Sequence, residues 1–192
     1  YETIHADIDV KRGVCRLPWG TELPLDPFFG IMGTAPPPAW GRVGTPVPRA
    51  FGGNMDNRYC RAGARIALPV FCEGALFLAG DGHALQGDGE ICDTALETAL
   101  DGRLRFCVEK GTAPEAPEIL CDNRIITMDF DEDLNTAATT AARRMAPSCL
   151  RCCSRSIWPS PCPTGCCSRT RSASGRRRTA SSWRAASSTD RK

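Results

Sequence analysis

The chain has 192 residues, of which 42% are hydrophobic and 24% are charged. This length allows one domain or two small ones, and the composition is typical of a globular protein. The longest apolar stretches, residues 66–71 and 74–80, are far shorter than the roughly 18 residues that suggest a membrane span. No signal-peptide pattern opens the chain. Because Tyr1 and not Met stands first, we expect a fragment or a partial translation.

The formal charge of +2 combines two unlike parts of the chain. Residues 146–192 hold nine Arg and one Lys against a single acid, whereas residues 1–145 hold 14 basic and 21 acidic side chains. Six of the twelve cysteines also lie after residue 146. We therefore expect an acidic soluble domain at residues 1–145, followed by a segment of different character.

The first part of the chain predicts loops and strands. Residues 13–53 are rich in Gly and Pro but carry several aromatic side chains, which favours an ordered loop with short extended pieces over a linker. From residue 64 onward, apolar runs and alternation predict strands. They are expected at residues 64–71, 74–79 and 103–109, with one or two more at 119–130 around a turn at 122–123, whereas residues 91–100 fit a strand or a helix.

Residues 131–145 give the clearest helix prediction. Three acids crowd its start, and Arg143 and Arg144 stand near its end, an order that suits the helix dipole. We expect Pro147 to end this helix, because the residue before a proline disfavours helical geometry.

The most unusual segment is the sequence GDGHALQGDGE at residues 80–90. It combines four glycines, three carboxylates and His83, one of only two histidines. Glycine lets a backbone approach a ligand closely, and imidazole with carboxylate suits a divalent metal, zinc in particular. We expect a loop between two strands. A second segment, GGNMDN at residues 52–57, predicts a tight turn that presents side chains to a site.

Other interpretations of both segments stay open at this point. The first could be a hairpin loop with solvated acids, and the second an ordinary turn. A calcium loop is disfavoured, because the EF-hand pattern is absent and histidine is an unusual calcium ligand. A phosphate-binding loop is disfavoured because the acids would repel phosphate.

Five motifs, in order, resemble the acetamidase/formamidase family. They are PFFGIMGTAP at 27–36, GGNMD at 52–56, LPV at 68–70, GALF at 74–77 and the segment at 80–90. The sequence FDEDL at 130–134 is also similar, and the resemblance covers roughly residues 3–145. It implies a mainly β fold with a smaller α+β part, β-sandwich-like in architecture. Relative to the family, we expect the chain to lack residues at both ends.

The resemblance also implies an activity. Family members hydrolyse short aliphatic amides to a carboxylate and ammonia, and a metal, usually taken as zinc, is associated with the site. Carried over by motif, Asp56 and His83 are the expected metal ligands, and Glu90 is the expected general base or a further ligand. Asp81 and Asp88 are not assigned as ligands; they are candidates for side chains that support the ligands from outside. We expect a small amide as the substrate and a homo-oligomer at full length.

Residues 146–192 do not resemble the family. They are rich in Ser, Arg and Cys and contain no Val, Phe or Met, so they cannot bury enough apolar area to fold. We expect a disordered tail that arises from a shifted reading frame. Because of the missing amino-terminal part, this tail and its additional thiols, we expect the chain to lack amidase activity. A cysteine metal cluster and a nucleic-acid patch around Arg176 are the weaker alternatives.

The six cysteines before the tail are widely spaced. We expect reduced, mostly buried thiols in a cytoplasmic protein with no nucleic acid or membrane as its partner. Three functions are carried forward. The first is a metal-dependent amidase, the second a β-domain that binds a metal without catalysis, and the third a nucleic-acid-binding protein that uses its basic tail.

Overall fold

The computed structural model describes residues 3–122 and 124–154, the side chains of 148–154 excepted. Ten strands and one long helix form in it. The strands are β1 (Asp7–Asp9), β2 (Val14–Arg16), β3 (Glu22–Pro24), β4 (Phe28–Gly33), β5 (Gly52–Asn54), β6 (Arg65–Ala67), β7 (Leu78–Leu85), β8 (Leu96–Glu97), β9 (Glu118–Cys121) and β10 (Arg124–Thr127), and the helix is α1 (Leu134–Ser154). A short 3-10 turn spans Pro38–Trp40.

The strands form three antiparallel sheets. Their orders are β1-β2-β3, β10-β9-β6 and β5-β4-β7-β8. In the third and largest sheet, the two longest strands lie side by side, with Phe28 opposite His83 and Phe29 opposite Gly82. The prediction of a mainly β fold with a smaller helical part is therefore confirmed.

The main hydrophobic core lies between two of these sheets. Phe28 and Met32 of β4 pack with Ile119 of β9 and Ile126 of β10. Tyr59 and Cys60, from the loop that follows β5, complete this cluster. The four-stranded sheet and the β10-β9-β6 sheet thus share one apolar layer, which gives the described region its sandwich-like character.

Several predicted elements differ from the structure. Residues 103–109 alternate in polarity but form no strand; Phe106 and Val108 are largely exposed. The Phe106 ring instead meets the edge of Phe77, with ring centroids 5.0 Å apart. A sequence of alternating polarity forms a strand only where a neighbouring strand is available to pair with it. The hairpin around residues 122–123 is confirmed by the pairing of β9 with β10.

The helix also differs at both ends from its prediction. It begins at Leu134, because the Asp133 carboxylate accepts a hydrogen bond from the backbone N–H of Thr136 and so caps the first turn. The prediction that Pro147 ends it is wrong, since α1 continues through Pro147 to Ser154. Proline removes one backbone donor but still adopts helical φ.

The proposed division after residue 145 falls inside this helix. That boundary stays a prediction, as does the frameshifted tail, whose residues 155–192 lie outside the described residues. The helix packs on β10, where the Thr127 hydroxyl donates a hydrogen bond to the backbone oxygen of Ala141 at 2.7 Å. No helix in the described ranges is both long and apolar enough to cross a membrane.

The predicted state of the cysteines is correct in one respect and wrong in another. All six cysteines before the tail are free thiols. Cys15, Cys60 and Cys121 are buried, but Cys92 and Cys107 are exposed. The exposed pair lies in the segment around residues 91–109, where little regular secondary structure forms.

Candidate metal centre

Four acids and one histidine converge at one face of the four-stranded sheet. They come from different elements: Asp56 follows β5, Asp81 and His83 belong to β7, Glu90 follows β7, and Glu97 lies on β8. Residues two apart on a strand share a face, so β7 alone supplies two of the five groups. Glu97 joins them because it lies opposite His83 in the β7–β8 pairing.

His83 is the centre of this arrangement and is fully buried. Its Nε2 atom lies 3.3 Å from Asp81 Oδ1, 3.7 Å from Glu90 Oε1 and 3.3 Å from Glu97 Oε2. None of these contacts has hydrogen-bond geometry, so Nε2 is buried without a hydrogen-bond partner among the described residues. On the other side of the ring, Nδ1 lies 3.0 Å from Gln86 Oε1. The edge of Phe28 packs on the imidazole with a centroid distance of 4.8 Å.

Asp56 is held by its own backbone and by one neighbour. The backbone N–H groups of Met55 and Asp56 both donate to the oxygen of Gly30, at 3.0 and 3.2 Å. The Asn54 side-chain amide donates to Asp56 Oδ2 at 2.5 Å. The second carboxylate oxygen, Oδ1, is buried and accepts no hydrogen bond from the described residues.

Two of the acids in the cluster have a strained backbone conformation. Asp56 has a φ of 41° and Asp81 a φ of 60°, both in the left-handed region that side chains with a Cβ seldom adopt. Such conformations persist where the surrounding structure imposes them, and they are frequent at functional sites.

Gly30 leaves the space into which these groups project. A methyl group on Gly30 would lie 2.5 Å from Asp56 Oδ1, 2.6 Å from Asp81 Oδ2 and 2.9 Å from His83 Cε1. Real side chains do not approach so closely, so a residue larger than glycine would displace the acids or the imidazole. Glycine at this point of β4 therefore keeps the cluster intact.

The electrostatics of the cluster favour protons or a cation. The pKa of Asp56 is raised from 3.8 to about 6, mainly by burial and further by the neighbouring Glu90 and Asp81, while His83 opposes the shift. Burial also raises the pKa of Glu90, with His83 opposing and the other acids reinforcing the shift. Crowded carboxylates therefore raise the free energy of this region when all of them are ionised.

The donor set fits a divalent metal ion. Asp56, His83 and Glu90 can each offer one atom within 4.8 Å of the others, and Asp81, His83 and Glu97 form a second, overlapping group. The unpartnered Asp56 Oδ1 and His83 Nε2 are the kind of atoms that a metal would satisfy. One imidazole nitrogen with carboxylate oxygens suits zinc and related transition metals.

The structure brings together the three residues singled out from the sequence: Asp56, His83 and Glu90. Asp81 is also adjacent to His83, whereas Asp88 is not part of the cluster. The Asp88 side chain is 84% exposed and lies 3.5 Å from the Arg58 guanidinium.

One feature of each segment, at 80–90 and at 52–57, was predicted incorrectly. Residues 80–85 belong to strand β7 and not to a loop, because antiparallel pairing with β4 extends along them. Similarly, Gly52–Asn54 is strand β5 and not a turn, with both glycines at positive φ. Asp81 and His83 therefore project from a strand of the sheet and not from a loop.

Sequence reasoning missed Glu97 and Gln86. Glu97 lies outside every motif, and only the β7–β8 pairing brings it to His83. Gln86 stands three residues after His83 within the segment at 80–90, and this spacing was the available signal.

A β-rich fold that gathers a buried histidine and several acids around one point defines a candidate metallohydrolase domain. Comparisons with known proteins specify the class further. A model of the acetamidase/formamidase family matches residues 40–127. An acetamidase from Mycolicibacterium smegmatis is 53% identical over 47 residues, which are 24% of this chain and 12% of that protein.

Solved structures agree with these matches. A predicted acetamidase/formamidase from Thermoanaerobacter tengcongensis superposes with a TM-score of 0.64 at 31% identity, over 74% of this chain and 46% of its own. An acetamidase from Bacillus halodurans gives 0.63 at 31% identity, over 74% and 47%. One from Yersinia enterocolitica gives 0.65 at 25% identity, over 76% and 43%. The predicted resemblance is confirmed: the chain is similar to the acetamidase/formamidase family in the matched family model, in the curated relative and in the solved structures. The chain spans less than half the length of these structural relatives.

Proposed function

We propose that this site binds a divalent metal ion, zinc foremost, and hydrolyses the C–N bond of short linear amides such as formamide or acetamide. The products would be a carboxylate and ammonia. The observation that carries the proposal is the pair of unpartnered buried atoms, Asp56 Oδ1 and His83 Nε2, set among further acids. Similarity to the acetamidase/formamidase family supports the reaction class.

Asp56 and His83 would hold the metal. They come from separate loops and strands, so the site requires the folded sheet. When bound, zinc polarises a carbonyl group and lowers the pKa of a water molecule. Asn54 donates to the Asp56 carboxylate, and the backbone oxygen of Gly30 accepts from the Asp56 backbone N–H and so holds the main chain of that residue. Gln86 and Phe28 contact the imidazole. This support leaves both ligand atoms little freedom to turn away.

Glu90 would act as the general base. Its side chain is only 13% exposed and faces His83, and burial raises the pKa of its carboxyl group. A carboxylate with raised proton affinity is a better acceptor for a proton from water, and it can pass that proton to the departing amine nitrogen. Asp81 and Glu97 form a second, overlapping group with His83 and are the alternative ligands.

Ammonia release with metal removal and return tests this function. A chimera would join residues 3–154 to the remaining length of the Thermoanaerobacter relative, and the 192-residue chain would be assayed beside it. We expect the chimera to release ammonia from formamide or acetamide, to lose turnover after chelation and to regain it with zinc. Metal binding without turnover in the chimera would favour the second function, a β-domain that binds metal without catalysis.

The proposal also covers the partners, the oligomeric state and the location of the protein. We propose a small amide as the partner of the site, a homo-oligomer at the length of the relatives, and a cytoplasmic location without nucleic acid or membrane as a partner. The free thiols of the described residues support a reducing compartment. Light scattering of the chimera tests the oligomer, and binding of a duplex DNA by the 192-residue chain would contradict the absence of a nucleic-acid partner.

A further inference from the structure

Gln86 connects the two central residues of the candidate site. It is buried, and its two side-chain heteroatoms contact different groups: Oε1 lies 3.0 Å from His83 Nδ1, and Nε2 donates to the backbone oxygen of Asp56 at 2.6 Å. We propose that Gln86 is a positioning residue that keeps the His83 ring proton on Nδ1 and so presents an unprotonated Nε2 to a divalent cation. The inference rests on the proposed function for the identity of that cation.

The orientation of the Gln86 amide follows from its contact with Asp56. A backbone carbonyl can only accept hydrogen bonds, so the group 2.6 Å from the oxygen of Asp56 must be the NH₂ of Gln86. The flipped orientation would place two acceptor oxygens against each other in a buried region, at a cost comparable to a lost hydrogen bond or more. The Gln86 oxygen therefore has to face His83.

The orientation of the amide determines the tautomer of His83. Because Gln86 Oε1 only accepts, the ring nitrogen beside it must carry the proton and donate. In a neutral imidazole, one protonated nitrogen leaves the other with a free lone pair. That other nitrogen, Nε2, is the atom that faces Asp81, Glu90 and Glu97. The proton is thus held on the side away from the acids.

The rest of the pocket restricts any alternative arrangement of the ring. His83 has no exposed surface, and the Phe28 edge lies against the imidazole at 4.8 Å between centroids. A lone pair aimed at three carboxylates is unfavourable, so in the metal-free chain the hydrogen bond from Nδ1 to Gln86 has to hold the ring in this tautomer until a cation binds between Nε2 and the acids. A hydrogen bond to the nitrogen that does not bind metal is the usual way in which proteins fix a histidine ligand.

Nitrogen-15 NMR of the imidazole groups in the metal-free 192-residue chain tests the tautomer directly. The chain has only two histidines, so a His5→Asn variant assigns the His83 signals without ambiguity. In the neutral form of the ring, we expect Nδ1 to resonate as the protonated nitrogen and Nε2 as the bare one. A proton on Nε2 in the neutral ring would overturn the inference, and this measurement needs no change at Gln86.

A substitution then tests the role of Gln86. Gln86→Met keeps an unbranched side chain of similar length but removes both contacts, so the His83 tautomers should mix and the zinc affinity should fall by roughly 10–100-fold. Thr127→Val is the matched control. It also removes one buried hydrogen bond to a backbone oxygen, but in the β10–α1 contact and not in the site. The control should retain both the tautomer and the affinity.

The outcomes separate this inference from the proposed function. An unchanged tautomer and unchanged zinc affinity in Gln86→Met would overturn the positioning role while the metal site stands. A wild-type chain with the expected tautomer that binds no zinc would uphold the positioning role and reject the metal.

Discussion

Carboxylates meet opposite environments in two sheets of this molecule. In the β1-β2-β3 sheet, Glu22 lies between Arg12 and Arg16, each 2.8 Å away, and these hydrogen bonds lower the Glu22 pKa to about 2. In the four-stranded sheet, burial and neighbouring acids raise the Asp56 pKa to about 6. A carboxylate thus has its charge balanced by two arginines in the first sheet, whereas in the second it is buried beside other acids.

The difference shows which acids serve the fold and which serve a site. Glu22 has its charge balanced by arginines at the surface and needs no further partner. For Asp81, Glu90 and Glu97, the ion pairs that the structure describes are all with the single imidazole of His83. A folded chain keeps such a crowded arrangement where a ligand compensates it, and perturbed acids in a cluster are therefore candidates for function.

Removal of a proposed ligand should have the largest effect. Asp56→Ala or His83→Ala should each lower zinc affinity by more than the roughly 10–100-fold typical of losing an outer partner, and turnover of the chimera should fall to background. Equilibrium dialysis against zinc, followed by the ammonia assay, measures both quantities. Glu22→Ala in the surface sheet is the control and should bind zinc normally. Full zinc occupancy in both site variants would remove these residues from the ligand set.

Glu90→Gln separates a base from a ligand. Glutamine retains the shape of the side chain but cannot accept the proton, so zinc should remain bound while turnover falls by roughly 10²–10⁴-fold. The ammonia assay on the chimera, with zinc content determined on the same sample, gives the answer. Loss of zinc would reassign Glu90 as a ligand, and unchanged turnover would reject both roles.

Gly30→Ala should disturb the site without removing any ligand. The added methyl group would press on Asp56, Asp81 and His83, so we expect zinc affinity to fall roughly 10–100-fold, as when a supporting contact is lost. Gly80→Ala is the matched control, because a methyl group there would meet no atom within 4 Å. Equal zinc affinities in the two variants would show that the close approach at Gly30 is not required.

The pH dependence of stability should have a sign set by Asp56 in the metal-free chain. Its pKa of about 6 in the fold lies above the ordinary 3.8, so the folded state binds this proton more tightly than the unfolded chain does. The stability that it contributes is present below pH 3.8 and is lost as the pH rises through about 6. Urea unfolding in chelator between these values should show a steeper fall for the wild type than for Asp56→Asn. Parallel curves would contradict the raised pKa.

Glu22 should show the smallest effect, with the opposite sign. Its folded pKa of about 2 lies below the ordinary 4.5, so its contribution is present above pH 4.5 and is lost as the pH falls towards 2. Glu22→Gln should reduce this acid-side loss only slightly, because exposed ion pairs contribute little and are screened by salt. Urea unfolding at low and high salt measures the contribution of Glu22 to stability. A large effect that persists in high salt would contradict the small contribution expected of an exposed ion pair.

The residues of the site could be predicted from the sequence better than their arrangement in space. The motifs that resemble the acetamidase/formamidase family singled out Asp56, His83 and Glu90. They did not show that β7 extends to Leu85, since glycines in an apparent loop hid the pairing with β4. Glu97 could not be found at all, because only the register of β8 against β7 places it beside His83.

Local patterns also had limits elsewhere in the fold. The hairpin of β9 and β10 could be predicted, because both strands are apolar and adjacent in the chain. The alternation at residues 103–109 was misleading, since strand formation depends on a partner that the local sequence does not specify. Likewise, Pro147 was expected to stop a helix that continues to Ser154.

Zinc-edge anomalous diffraction from crystals of the zinc-loaded chain tests the central claim most directly. That claim is that Asp56 Oδ1 and His83 Nε2 have no hydrogen-bond partner among the described residues because they bind a metal ion. The account predicts a single strong anomalous peak in contact with Asp56 Oδ1 and His83 Nε2. A zinc-loaded crystal with no peak between these two atoms, or with zinc bound only at the exposed thiols of Cys92 and Cys107, would contradict it.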